Sequence, residues 1–362
     1  MKSYTLHKHP LRLERVCQDK SNKIVNQPLY DSIISKKSSI DKVQRKWDNA
    51  KKASNDYEYI YTSSNSRRNI SDVVPVSRSF FKLREIIYDY RIKSIETCAC
   101  IAEAPGGFIQ SLLQHSEERN LQLTNIYGIT LISDDKDIPY WNPNLLKHPK
   151  VTVSEGCDGT GDIYKLHNIL NYIHLCGKSS CDIVTADGGF DYTSNFEQEL
   201  SSYKLFYSEI FIALNVQKKG GLFVCKLFDL FYYSTIQLVY ILYLSYEHVT
   251  FVKPSTSRKS NSEKYIVCRG FRGYNQEISN LMCRNMGREL LPISVPREFI
   301  DDLNKYHTLF INHQIQRINS TLELIRNKKM YDKPTKNQVT CALEWCRMYN
   351  VTINKNCVYL KY

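Results

Sequence analysis

No stretch of this chain is both long and apolar enough to suggest a membrane span. A span needs about 20 apolar residues, and the best run, Ile236–Leu244, is too short. The opening residues, MKSYTLHKHPLRLER, lack the apolar segment of a secretion signal. The 12 cysteines include no Cys-x-x-Cys pair, and no histidine stands at ligand spacing beside any pair, which removes the common zinc patterns. Several of them (Cys98, Cys100, Cys225, Cys268) lie in apolar runs, where a thiol behaves as a small hydrophobe. Reduced thiols and a cytoplasmic setting are the expectation. Internal repeats and low-complexity tracts are absent. Negative charge is in short supply: 37 Asp+Glu against 49 Lys+Arg leave a net charge of +12. That excess favours a polyanionic partner such as nucleic acid. An apolar content of 42% with 12% aromatics is too rich for a disordered chain, and 362 residues suffice for an α/β domain with extensions.

Residues 1–75 read as a basic, polar N-terminal extension. Between Lys36 and Ile70 there are nine Lys/Arg and four Asp/Glu. Apolar periodicity is weak there, so a solvated arm with at most a short helix near Lys42–Ala53 is expected. From about Ser77 the texture changes. Ser79–Asp89 carries apolar residues at 80, 83, 86 and 87, a helical stripe. Strand-like runs follow at Thr97–Ala102, Asn125–Leu131, Val151–Val153, Asp182–Ala186, Gly220–Cys225, Val249–Val252 and Tyr265–Cys268. Helical periods at Phe108–Gln114, Leu200–Val216 and Phe231–Leu244 separate several of them. Strands alternating with helices predict an α/β, Rossmann-like fold: a seven-stranded, mostly parallel sheet with helices on both faces, over residues 76–275. Residues 276–362 read as a helical C-terminal extension, with Pro292 and Pro296 marking a break before Arg297.

In an open parallel sheet, ligands bind beyond the carboxyl ends of the strands. Four places qualify. Glu103 precedes Pro105-Gly106-Gly107 at a strand-to-helix turn, Asp187 precedes Gly188-Gly189, Lys226 ends an apolar strand, and Glu263 stands just before the last strand. A glycine pair lets backbone approach a ligand closely, and a helix N-terminus favours a carboxylate or another anion. The spacing matches neither Gly-x-Gly-x-x-Gly nor a P-loop, which disfavours dinucleotide and ATP binding. A lysine at the end of a buried strand is unusual, because desolvation and a neighbouring cation such as Lys82 lower its pKa and supply neutral amine. Each residue also has an ordinary reading as a cap, a turn former or an ion-pair partner.

Together the blocks resemble a family. Ser77–Ile86 (SRSFFKLREI), Glu103–Phe108 (EAPGGF), Thr185–Phe190 (TADGGF), Gly220–Asp229 (GGLFVCKLFD) and Lys253–Val267 (KPSTSRKSNSEKYIV) are similar, in order, to the motifs of FtsJ/RrmJ-type ribose 2′-O-methyltransferases. The Ala-Asp-Gly-Gly and Cys-Lys-Leu-Phe-Asp forms, and Asp158–Ile163 (DGTGDI), are most like mRNA-cap enzymes, particularly those of large cytoplasmic DNA viruses. The resemblance implies a catalytic Lys82-Asp187-Lys226-Glu263 set, and within it Lys226, kept partly neutral by burial and by Lys82, is the expected general base. It implies an S-adenosyl-L-methionine site at Glu103, Ala104, Pro105, Gly106, Gly107 and Phe108, with Asp158 or Asp162 on the adenine side and Asp187 near the sulfonium. Many relatives end the second strand with an acid that holds the ribose. This chain has Thr130-Leu131 there, with Asp134 and Asp135 further on, so the ribose contact stays open. Lys253, Arg258 and Lys259 are candidate contacts to the RNA backbone, and no metal is needed for methyl transfer itself. The implied reaction is methylation of the first transcribed nucleotide of capped mRNA in the cytoplasm (or in a virion), alongside other capping or transcription components and with no DNA or membrane partner. Methylation of rRNA or tRNA, and a non-catalytic RNA-binding or processivity subunit, are the alternatives.

Overall fold

A computed structural model describes residues 2–8, 12–16, 21–189, 198–327 and 333–360. Phe190, the last residue of the TADGGF block, lies outside them. The strands are β1 (Lys2–Thr5), β2 (Glu14–Arg15), β3 (Thr97–Ile101), β4 (Asn125–Ile129), β5 (Val151–Ser154), β6 (Cys181–Ala186), β7 (Gln217–Leu227), β8 (Tyr246–Lys253), β9 (Lys264–Phe271) and β10 (Ile293–Ser294). The helices are α1 (Gln27–Asp41), α2 (Gln44–Ala53), α3 (Ser79–Asp89), α4 (Gly107–Arg119), α5 (Pro143–Leu146), α6 (Leu166–Cys176), α7 (Gln198–Val216), α8 (Tyr233–Ser245), α9 (Gln276–Arg284), α10 (Arg297–Arg326) and α11 (Lys336–Met348).

The main sheet has eight strands in the order β1-β8-β9-β7-β6-β3-β4-β5. From β7 to β5 the pairing is parallel, and β9, β8 and β1 continue it antiparallel. Seven strands follow the expected pattern. The eighth, β1, comes from the segment read as an arm: Lys2 to Thr5 pair with Lys253 to Thr250 at the sheet edge. Four residues are too few to show a period, so only the pairing partner defines this strand. The central strands are buried on both faces, as a parallel sheet covered by helices requires. Helices α3, α4 and α5 fill one face and α6 to α10 the other.

The rest of the N-terminal segment also departs from a solvated arm. Leu29, Ile33 and Ile40 of α1 and Trp47 and Ala50 of α2 pack on Ile311, Ile318, Leu322 and Ile325 of α10 and on Phe231. Burying each large apolar side chain is worth roughly 1.5–3 kcal/mol, enough to hold two polar helices in place. The stripe is masked in the sequence because Lys37 occupies one of its positions. Lys37 is buried and paired with buried Asp229 at 3.1 Å. Asn26 caps α1, its side chain accepting from the Leu29 amide, and Pro28 stands in the first turn, where no amide donor is needed. On the opposite side, Ala342, Trp345 and Cys346 of α11 pack with Phe80 and Phe81 of α3 and Ile60 and Ile70 of the N-terminal segment. No helix among the described residues is long and apolar enough to cross a membrane.

Candidate active site

At the carboxyl end of β3, Ala102 takes a left-handed φ of 51° and turns the chain into Glu103. Glu103 is 2% exposed and folds back on α4, accepting from the Phe108 amide at 2.6 Å and the Ile109 amide at 3.4 Å. It therefore caps the helix. Burial pushes its carboxyl well above the usual range, against the opposing pull of those amides. Gly107 has no room for a side chain: a Cβ there would stand 2.2 Å from Ser79 Oγ and 2.3 Å from Ser77 Oγ. Gly106, with φ of 110°, needs glycine for conformation as well as for space. Ala104 and Pro105 complete the turn, and the Pro105 carbonyl accepts from the Asn142 amide.

Asp187 and Lys226 meet beyond β6 and β7. Lys226 Nζ donates to the Asp187 carbonyl at 2.7 Å and lies 3.5 Å from its carboxylate. The Tyr265 hydroxyl, fully buried in β9, donates to the same carboxylate oxygen at 2.8 Å. The two glycines after Asp187 let these groups close up. A Cβ on Gly188 would come within 2.5 Å of Glu209, and one on Gly189 within 2.9 Å of Lys226 Nζ. Lys82, on α3, pairs with Glu263 at 2.9 Å, and the Ser257 hydroxyl donates to the other Glu263 oxygen at 2.7 Å. All four charged residues singled out in the sequence thus converge as two ion pairs. Glu263 is also near enough for its charge to act on Lys226.

The charge state differs from the expectation. Burial would pull the Lys226 amine down, but Asp187, Glu263 and Glu209 outweigh it and hold the ammonium above its ordinary pKa of 10.5. Lys226 is therefore protonated in the ligand-free protein rather than partly neutral. Glu209 of α7 gave no signal in the sequence, where it sits in an otherwise helical apolar period. It is buried behind the lysine, and burial pushes its carboxyl up to about 8. Burial pushes Glu263 up too, yet Lys82, Lys226 and Lys253 together bring it well below the usual carboxylate range. Tyr265 could have been found, since it stands two positions after Glu263 in the same block.

The three lysine and arginine candidates for RNA contact are engaged inside the fold. Lys253 is 8% exposed; it donates to the Asn261 carbonyl at 3.0 Å and to the Asn261 side chain and the Glu263 carbonyl. Burial lowers it to about 7. Arg258 grips Glu58 through two hydrogen bonds of 2.8 and 3.1 Å, and Lys259 pairs with Asp56 at 2.7 Å. A charge count along a Ser-rich loop cannot reveal partners 200 residues away.

Asp158 turns into its own loop, accepting from Thr160 and Asn168 and pairing with Lys165 at 2.7 Å. Asp162 accepts from the Tyr164 amide at 2.8 Å. This loop lies against the end of β4, where a Cβ on Gly161 would stand 1.9 Å from the Thr130 carbonyl. Asp134 and Asp135 are exposed beyond it.

This is an α/β sheet whose open carboxyl edge gathers two amines, two carboxylates and glycine-lined turns, the layout of a Rossmann-like transferase. The chain belongs to the FtsJ-like methyltransferase family, whose model matches residues 75–271. It is 36% identical over 181 residues to cap-specific mRNA (nucleoside-2′-O-)-methyltransferase 1 of Leishmania braziliensis, covering 49% of this chain and 45% of that one. It is 37% identical over 186 residues to the corresponding protein of Trypanosoma brucei brucei, covering 51% and 49%. With cap-specific mRNA (nucleoside-2′-O-)-methyltransferase 2 of Mus musculus it shares 30% over 286 residues, covering 72% of this chain and 36% of that one. The chain thus spans about half or less of the length of these relatives. Members of the family use S-adenosyl-L-methionine. The residues here fit that cation. A carboxylate, Asp187, stands at the sheet edge between glycine turns too tight for any side chain, and Gly159, with φ of 77°, leaves open space beside the Asp158 loop.

Proposed function

We propose that this protein transfers a methyl group from S-adenosyl-L-methionine to a ribose 2′-hydroxyl of capped mRNA, at the first transcribed nucleotide. The observation that carries this reading is the convergence of Lys82–Glu263 and Lys226–Asp187 beyond the strand ends. The donor, held at residues 103–108, Asp187 and the 158–162 loop, supplies an electrophilic methyl carbon. A ribose hydroxyl is a poor nucleophile, so the protein must align it and take its proton. Lys226 accepts that proton after its ammonium has lost its own proton to solvent, since the free protein holds it in the charged form. Asp187 orients Lys226, and Glu263 orients Lys82. Alignment of two reactants supplies about 7–11 kcal/mol of the barrier reduction. The forms of the Asp187, Lys226 and Asp158 blocks support membership of the subgroup found in large cytoplasmic DNA viruses. With it go a cytoplasmic site of action and a place beside other capping components.

The test compares methyl transfer from labelled donor to capped and uncapped versions of one short RNA. Cap-dependent transfer to the first 2′-oxygen is the expected result. Equal transfer to both would favour a structural RNA substrate, and none to either would refute the enzyme.

A further inference from the structure

Glu58 opens a 3₁₀ turn at Glu58–Ile60, before the residues that match the family. It is 1% exposed and carries four contacts. Arg258 donates from Nη2 at 2.8 Å and from Nε at 3.1 Å, Asn55 donates at 2.8 Å, and Arg78 Nη1 lies 3.6 Å away. Burial alone would push this carboxyl up, but Arg258 and Arg78 outweigh it and keep it below the usual range. Two residues earlier, Asp56 holds Lys259 at 2.7 Å and lies 3.6 Å from Arg317 of α10.

Arg258 and Lys259 belong to the loop between β8 and β9 that ends at Glu263. Its first part is fastened to α3, where buried Glu85 accepts from the Ser255 and Thr256 amides at 2.7 and 2.8 Å and from the Thr256 hydroxyl at 2.7 Å. Its middle is fastened by residues of the N-terminal segment and α10, while further on Lys253 of β8 donates to Asn261 and Ser262 donates to Gln198 of α7. Between the two anchors lies Ser257, which donates to Glu263. A planar, two-point guanidinium–carboxylate contact fixes direction as well as distance, and a lysine cannot reproduce it. Burying a carboxylate and leaving it unpaired is expensive, so Glu58 and Arg258 hold each other in one arrangement.

We propose that Glu58 is a positioning residue for Glu263, acting through Arg258 and Ser257, so that the N-terminal segment is part of the catalytic apparatus. This rests on the reading of Glu263 as a member of the catalytic set. Glu58→Gln keeps the side chain's shape and an oxygen acceptor but removes the charge and one arm of the fork. The expected result is a fall in kcat of roughly tenfold to a hundredfold, the scale of a misplacement near 1 Å. KM for the methyl donor should stay within twofold. Because the action passes through Ser257, Glu58→Gln should add little to the loss already produced by Ser257→Ala. Amide hydrogen exchange should quicken within residues 255–263 and stay unchanged in the sheet. Arg258→Lys approaches the same contact from the loop and should give the same pattern if Glu58→Gln fails to fold. Wild-type kcat in either variant, independent multiplication of the Glu58 and Ser257 losses, or unchanged exchange in the loop would overturn the proposal. If the wild-type protein methylates no RNA, the functional reading fails, and the exchange measurement still decides whether Glu58 holds the loop.

Discussion

Replacing Lys226 with methionine removes an amine while keeping most of the stem's volume, so its effect is chiefly electrostatic. Loss of a general base costs about 10²–10⁴ in rate, or ~3–5 kcal/mol of barrier. The alignment of donor and hydroxyl rests on other residues and remains, so the variant should keep a low residual rate. Its pH behaviour is the sharper test. In the free protein Asp187, Glu263 and Glu209 overcome burial and hold the Lys226 ammonium above 10.5. Neutral amine is therefore scarce at pH 7, and the wild-type rate should climb with pH while binding is intact. Lys226→Met should show no such climb. Stability moves the other way. A folded pKa above the unfolded one contributes stability that is complete below pH 10.5 and lost as the pH rises through the folded value. The variant lacks that contribution, so its stability falls less steeply in alkali. The assay is labelled-methyl transfer to a short capped RNA at saturating donor, from pH 6 upward in steps of about one unit, a range that brackets Lys226's approach to neutrality. Wild-type turnover in Lys226→Met, or an unchanged alkaline climb, would refute the assignment of the base.

Three further outcomes follow from the same geometry. Lys37→Met removes the 3.1 Å partner of buried Asp229 and leaves it Lys264 at 3.6 Å, so it should cost about 1.5–3 kcal/mol in urea unfolding; an unchanged midpoint would contradict the packing of α1. Gly107→Ala drives a Cβ to within 2.3 Å of two serine hydroxyls and 3.0 Å of the Phe80 amide. Displacing the turn should cost about 1–3 kcal/mol and weaken donor binding in calorimetry, and wild-type affinity with wild-type stability would count against it. Lys253, lowered by burial to about 7, binds its proton more weakly folded than unfolded. Wild-type stability should therefore rise between about pH 7 and pH 10.5, and Lys253→Met should make that rise shallower when thermal unfolding is followed across the range, with Lys264, lowered by burial to about 8, keeping the remainder.

Much of the fold was legible from local pattern. The Ser79–Asp89 helix, the parallel strands and the break before Arg297 follow from apolar periods and proline positions, which depend on neighbours within a few residues. Two parts were not. Strand β1 is too short to carry a period, and α1 hides its apolar face because Lys37 stands in it, a placement that makes sense only once Asp229 is beside it. The same limit governs the loop before β9. Lys253, Arg258 and Lys259 look like a solvated basic run, yet one is buried and the other two answer acids about 200 positions earlier.

The chain alone therefore determined the α/β order and the glycine turns, because turn conformation and strand termination are short-range properties, whereas the set Lys82, Asp187, Lys226 and Glu263 was singled out only by its resemblance to a family's motifs. The proton on Lys226, the burial of Lys253 and the docking of residues 27–60 were settled by packing. Charge and solvation depend on every group within several ångströms, and Asp187, Glu209 and Glu263 reach Lys226 from three different elements.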